Sequence, residues 1–110
     1  MKDISLNTTI AAYIEASNGN NIEAIITSFK PEAVVVDEGI TYRGLEEIRG
    51  WLNKTRAEYQ FTLEALDAAG ESGETIVTCL VTGTFPGSPV SLHFHFTIDE
   101  GKIAALTIVD

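Results

Sequence analysis

The second half of the chain is a succession of strand-like runs with almost nothing between them, and this limits its possible folds more than any other feature. Tyr59 to Ala69, Thr75 to Phe85, Val90 to Ile98 and Lys102 to Val109 are rich in β-branched and aromatic residues. Gly70 to Glu74, Pro86-Gly87-Ser88-Pro89 and Asp99-Glu100-Gly101 read as the turns between them. Turns this short cannot hold a crossover, so consecutive runs should pair antiparallel as a meander. In the third run Leu92, Phe94, Phe96 and Ile98 alternate with Ser91, His93, His95 and Thr97, which sends the two sets to opposite faces.

The first half carries a different period. Leu6, Ile10, Tyr13, Ile14 and Ser17 fall three and four apart and predict a helix, with Asn7 or Thr8 as its cap and Gly19 in the break after it. Ile22, Ile25, Ile26 and Phe29 predict a second, short helix capped by Asn21, stopped by Lys30-Pro31-Glu32. Ala33 to Val36 reads as a strand ending at Asp37; Glu38-Gly39 turns the chain, and Thr41-Tyr42-Arg43 returns. Gly44 opens a third helix with Leu45, Ile48, Trp51, Leu52 and Thr55 on one face. Glu46 and Glu47 lie in its first turn and Lys54 and Arg56 near its end, which suits the helix dipole.

Helices followed by strands, with no linker or repeat, predict a single α+β domain over residues 1–110. Three helices can cover only one face of a long sheet. Thr75 to Phe85 is apolar on both faces, with Ile76 and Leu80 on one and Val77, Cys79, Val81 and Phe85 on the other. A homodimer through the outer sheet face is the simplest way to cover whichever set the helices leave.

The net charge of −9 argues against nucleic acid and anionic membranes as partners. From Ala57 to Gly101 there are seven acidic residues and no Lys or Arg. A single cysteine, Cys79, allows no internal disulfide, and Met1-Lys2-Asp3 is not followed by the apolar run of a signal peptide. A cytoplasmic protein is the expectation. There is no phosphate loop, dinucleotide fingerprint or nucleophile elbow, and no cofactor is expected.

Few residues stand out for chemistry. Asp37 ends an apolar strand, where a carboxylate at the mouth of an apolar cavity suits a general base; the plainer reading is a turn residue exposed with Glu38. Tyr13 lies on the apolar stripe of the first helix, so its ring can pack while its hydroxyl reaches a substrate oxygen or a local partner. Trp51 is a core filler or a cavity wall, and the two are compatible. His93 and His95 form a His-x-His on one strand face, which would need further ligands to hold a metal. They are the only histidines, and the expectation is no metal. On the outer face they would instead meet a partner subunit and lend dimerisation a pH dependence between roughly pH 5 and 7.

Taken together, Tyr13-Ile14-Glu15, Gly19, Ile22-Glu23-Ala24-Ile25, Ala33 to Asp37, Gly44, Ile48 and the Asp99 to Ile103 hairpin resemble the nuclear-transport-factor-two-like superfamily. Within it the chain is most similar to the SnoaL-like polyketide cyclases and the ketosteroid isomerases. The resemblance implies a cone-shaped α+β barrel, with three helices packed on a strongly curved antiparallel sheet around a deep pocket. It also implies that Asp37 stands where a proton-shuttling carboxylate stands and Tyr13 where an oxyanion-donating tyrosine stands. The second, protonated acid of the ketosteroid isomerases has no counterpart, because Phe94 or a neighbour occupies that place. The expected activity is acid–base chemistry on a small apolar carbonyl compound, as a cofactor-independent isomerase or cyclase, with Ile10, Trp51, Phe94 and Phe96 lining the pocket. The alternatives are a non-catalytic ligand-binding or accessory protein of the same fold and, behind it, a metal site at His93 and His95.

Overall fold

The computed structural model describes residues 6–71 and 73–110. Met1-Lys2-Asp3, at the start of the sequence, and Ser72, in the expected Gly70 to Glu74 turn, lie outside the described residues. Helix α1 spans Thr8–Asn18, and the Asn7 side chain accepts from the Thr9 and Ile10 N–H groups, as a cap should. The left-handed residue after it is Asn20 (φ 54°), while Gly19 stays in the right-handed region. Helix α2, Ile22–Ile26, is a single turn capped by Asn21, whose side chain accepts from the Ala24 N–H.

Strand β1 runs Phe29–Asp37, so Lys30-Pro31-Glu32 lies inside it and does not end an element. A proline lacks the N–H of a ladder residue. It is tolerated because the register against the neighbouring strand shifts between Phe29 and Val34. Strand β2, Ile40–Arg43, returns antiparallel through Glu38 and Gly39, both at positive φ as a two-residue hairpin turn requires. Helix α3, Gly44–Glu58, starts on a glycine at φ 82°, and Glu47 accepts from the Arg43 N–H at 2.8 Å in place of a capping side chain. Strands β3 (Phe61–Glu71), β4 (Glu74–Gly83), β5 (Val90–Asp99) and β6 (Lys102–Val109) follow as an antiparallel meander.

The sheet order is β2-β1-β6-β5-β4-β3, and β1 runs parallel to β6. This overturns the expected strongly curved antiparallel barrel: the sheet is mixed, open and not closed on itself. The reason is connectivity. Helix α3 carries the chain from β2 at one edge to β3 at the other, so the last strand of the meander returns alongside β1 in the same direction. At the edges stand β2, only four residues long, and β3, which do not pair.

Two bulges adjust the side-chain alternation. Leu66 is the extra residue between the Ala65 and Asp67 pairings, which leaves this leucine 38% exposed. Ala104 is the extra residue opposite the Thr97 and Ile98 step, so Ile103, Leu106 and Ile108 all turn inward despite their odd spacing. The inner face presents Val77, Cys79, Val81, Phe94, Phe96 and Leu106 to Ile10, Ile25, Ile48 and Leu52 of the helices. Among the described residues no helix is long and apolar enough to cross a membrane.

One side chain ties α1 to the free edge of the sheet. The Asn18 amide donates to the Leu63 carbonyl (2.9 Å) and accepts from the Leu63 N–H (2.7 Å), imitating a missing neighbouring strand. Each such bond contributes about 0.5–1.5 kcal/mol net. Asn18→Ala should therefore lower unfolding free energy by about 1–3 kcal/mol in a urea titration, with amide exchange accelerated at Leu63. An unchanged denaturation midpoint would show that the tie contributes nothing.

Candidate active site

Between α1, α3 and the inner face of the sheet lies a cavity of about 740 Å³. Its walls are mainly apolar, with Trp51, Phe61, Leu63, Val81, Phe94 and Ile108 among them. Asp37, Tyr42, Arg56 and Tyr13 interrupt that surface with polar atoms.

Asp37 reaches the cavity by strand parity. Ala33 and Val35 point into the core, and Asp37 is the next residue of the same set. Its Oδ2 accepts from the Trp51 indole N–H at 3.0 Å. Trp51 is 4% exposed, so its N–H must find an acceptor inside the fold, and the carboxylate supplies one. The bond fixes one carboxylate oxygen and leaves the other for a further partner. The Tyr42 ring lies 6.1 Å from the Trp51 ring and extends the same wall.

Tyr13 sits on the buried stripe of α1 between Ile10 and Ser17 and is 2% exposed. Its ring is held edge-on by Phe96 (5.5 Å) and Phe29 (6.0 Å). Among the described residues nothing hydrogen-bonds its hydroxyl. Burial pushes the phenol well above its ordinary range, opposed by the nearby Arg56 guanidinium and assisted by the Asp37 charge. The hydroxyl is thus a neutral donor that shares the cavity with Asp37.

The remaining residues divide. Phe94 lines the cavity, stacked 6.2 Å from Phe96. Phe96 and Ile10 are fully buried in the core and do not line it. His93 and His95 face away on the outer side of β5, where their Nδ1 atoms lie 3.0 Å from Thr78 Oγ1 and 3.1 Å from Glu74 Oε1. Among the described residues no three His, Cys, Asp or Glu side chains gather around one point.

Arg56 is a wall residue that sequence reasoning passed over, having placed it only as a cation suited to the end of the third helix. Its Nη2 donates to Ser17 Oγ at 2.7 Å and its Nη1 to Thr55 Oγ1 at 3.3 Å, with the guanidinium carbon 5.0 Å from the centre of the Phe61 ring. The Nε is buried without a partner, a state that costs about 1–3 kcal/mol. Burial also lowers the pKa of the guanidinium, which nevertheless stays charged in a protein. The available signal was position: Arg56 is the last cation before the long stretch that holds none.

The SnoaL-like domain family matches residues 10–106. The chain belongs to this family, within the nuclear-transport-factor-two-like and ketosteroid-isomerase-like superfamily. It is 35% identical to a "putative polyketide cyclase" from Sinorhizobium meliloti, over 94% of each chain with a TM-score of 0.90. A protein with a ketosteroid isomerase-like fold from Catenulispora acidiphila, solved in complex with trimethylamine, is 20% identical over 96% of this chain and 87% of its own, with a TM-score of 0.84. An NTF2-like protein of unknown function from Cytophaga hutchinsonii is 14% identical over 99% of this chain and 93% of its own, with a TM-score of 0.78. No curated protein matches the chain.

The buried acids of the interior give a pH dependence of known sign. Burial holds the Cys79 thiol up at about 11, against an ordinary 9.0, and Tyr13 is also raised. Below about pH 8 both groups are protonated in the folded and unfolded states and stability is indifferent to them. Above it the unfolded chain releases these protons first, so stability falls as pH rises toward the folded-state values. Urea midpoints at about pH 8 and about pH 10.5 should show a loss in the parent protein that is smaller in Cys79→Ala and in Tyr13→Phe. Equal losses in all three proteins would contradict this.

Proposed function

We propose that the protein binds a small, largely apolar carbonyl compound in this cavity and moves a proton α to its carbonyl. The family is generally associated with binding or transforming small hydrophobic ligands. The observation that carries the reading is the sharing of one apolar cavity by a carboxylate held through a single oxygen and a buried phenol with an unused hydroxyl. Asp37 takes the α-proton, the electron pair of that C–H bond moves toward the carbonyl, and the Tyr13 hydroxyl donates to the enolate oxygen. For an isomerisation Asp37 then returns the proton to another carbon; for an internal cyclisation the enolate carbon bonds to a second carbonyl carbon of the same molecule and the proton goes to that carbonyl's oxygen, so neither needs a cofactor. By the resemblance, Phe94 or a neighbour stands where the ketosteroid isomerases carry a second acid, and Phe94 lines the cavity. In this reading Tyr13 acts without that carboxylic acid.

Propiophenone in deuterium oxide provides the test, followed by NMR of its α-protons. Exchange should exceed the buffer rate, and Asp37→Asn should slow it by about 10²-fold or more while keeping an acceptor for Trp51. Tyr13→Phe should reduce it by about 10²-fold. Binding without exchange above the buffer rate would instead make this a ligand-binding protein of the same fold.

The reading includes a homodimer through the outer sheet face. Ile76, Leu80, His93 and His95 are half-buried there and Val109 is 44% exposed, a stripe that a second copy would cover. Sedimentation at micromolar concentration should give twice the chain mass of 11.9 kDa, and a single-chain mass would refute the dimer.

A further inference from the structure

Of the charged residues that line the cavity, Glu38, Lys54, Glu58 and Asp110 are exposed, while Asp37 and Arg56 are half-buried. Asp37 is compensated by the Trp51 N–H. Arg56 is compensated only by two hydroxyls and the face of Phe61. Among the described residues no carboxylate lies within ion-pair distance of it. A guanidinium has five N–H donors. The bonds to Ser17 and Thr55 use one N–H of each Nη and leave one on each, while the Nε is sealed from the cavity without a partner.

A half-buried guanidinium without an anion is a poor structural element in itself, because desolvation is not repaid by a counter-charge. Arg56 is nevertheless well anchored: Ser17, itself buried, holds one end and Phe61 supports the plane. A fork pre-positioned in this way, with donors to spare, matches a planar carboxylate. Arg56 and Tyr13 line the same cavity, and the Arg56 guanidinium is held by Ser17, one turn beyond Tyr13 on the buried stripe of α1.

We propose that the compound bound here is a small oxo carboxylic acid with an apolar body, its carboxylate received by Arg56 and its keto oxygen by Tyr13. This rests on the carbonyl reading above and adds a charge to the ligand. A monoanion is favoured over a phosphate ester because Asp37, Glu38, Glu58 and Asp110 surround the same space and would repel a second negative charge more strongly. The carboxylate takes no part in bond making. It anchors one end of the molecule so that the carbons flanking the ketone are held toward Asp37.

Three probes of one skeleton separate the claims: β-benzoylpropionate, its carboxamide, and propiophenone, which lacks the acid. Quenching of Trp51, the single tryptophan, reports binding at the cavity wall. The acid should bind about ten-fold tighter than its carboxamide, and this ratio should fall to about one in Arg56→Gln and be partly restored in Arg56→Lys. A purely structural role for Arg56 would weaken both ligands alike and leave the ratio unchanged. Equal binding of acid and carboxamide to the unmodified protein overturns the inference without recourse to any variant. If propiophenone still binds and exchanges its α-protons in that case, the carbonyl reading stands. If the acid shows the Arg56-dependent preference but none of the three ketones exchanges α-protons, the carbonyl reading falls and an anion site remains. Failure of all three probes to bind overturns both.

Discussion

The parallel ladder between β1 and β6 holds the two halves of this protein together. Every other strand contact joins neighbours in sequence, whereas this one brings residues 29–37 against residues 103–108. Its register sets Asp37 beside Ile108, which puts a carboxylate at the end of an apolar strand and against the cavity wall. The same pairing leaves β2 and β3 as the two edges of an open sheet. The β5–β6 turn reinforces it, since Thr9 Oγ1 donates to the Gly101 carbonyl and Lys30 pairs with Asp99 and Glu100.

The interior then has to accommodate polar groups on buried and half-buried side chains. Trp51 satisfies its indole N–H on Asp37, Ser17 accepts from Arg56, and Tyr13 keeps a hydroxyl without a partner. In an ordinary core such groups would be replaced by apolar ones, because each unsatisfied donor costs stability. Here the Tyr13 hydroxyl and one N–H of each Arg56 Nη are unused on residues that line one cavity. A ligand with two well-placed oxygens would give these donors partners, which is how a pre-organised site gains affinity and orientation together.

Much of the architecture was legible in local chemistry. Asn7 and Asn21 cap the helices where their side chains suggest, and the Leu92 to Ile98 alternation separates Phe94 and Phe96 from His93 and His95 as periodicity requires. Three features were not legible. The mixed, open sheet depends on which edge receives β6, and no local pattern encodes that. The inward turn of Ile103 together with Leu106 depends on a bulge at Ala104. Pro31 reads as a helix stop but sits in a strand, because an irregular ladder does not ask it for an N–H. At the site, the pairing of Asp37 with Trp51 and the isolation of Arg56 are tertiary facts. The seven acids and absent cations of the stretch after Arg56 would have suggested a nearby counter-charge, so its isolation could not be read from the sequence.

A crystal structure of the protein with propiophenone bound tests the central claim most directly. The account predicts the ligand inside the cavity, its carbonyl oxygen within about 3.2 Å of the Tyr13 hydroxyl and its α-carbon facing the carboxylate oxygen of Asp37 that Trp51 leaves free. A ligand whose carbonyl points to solvent, or an Asp37 side chain turned out of the cavity in the complex, would contradict it.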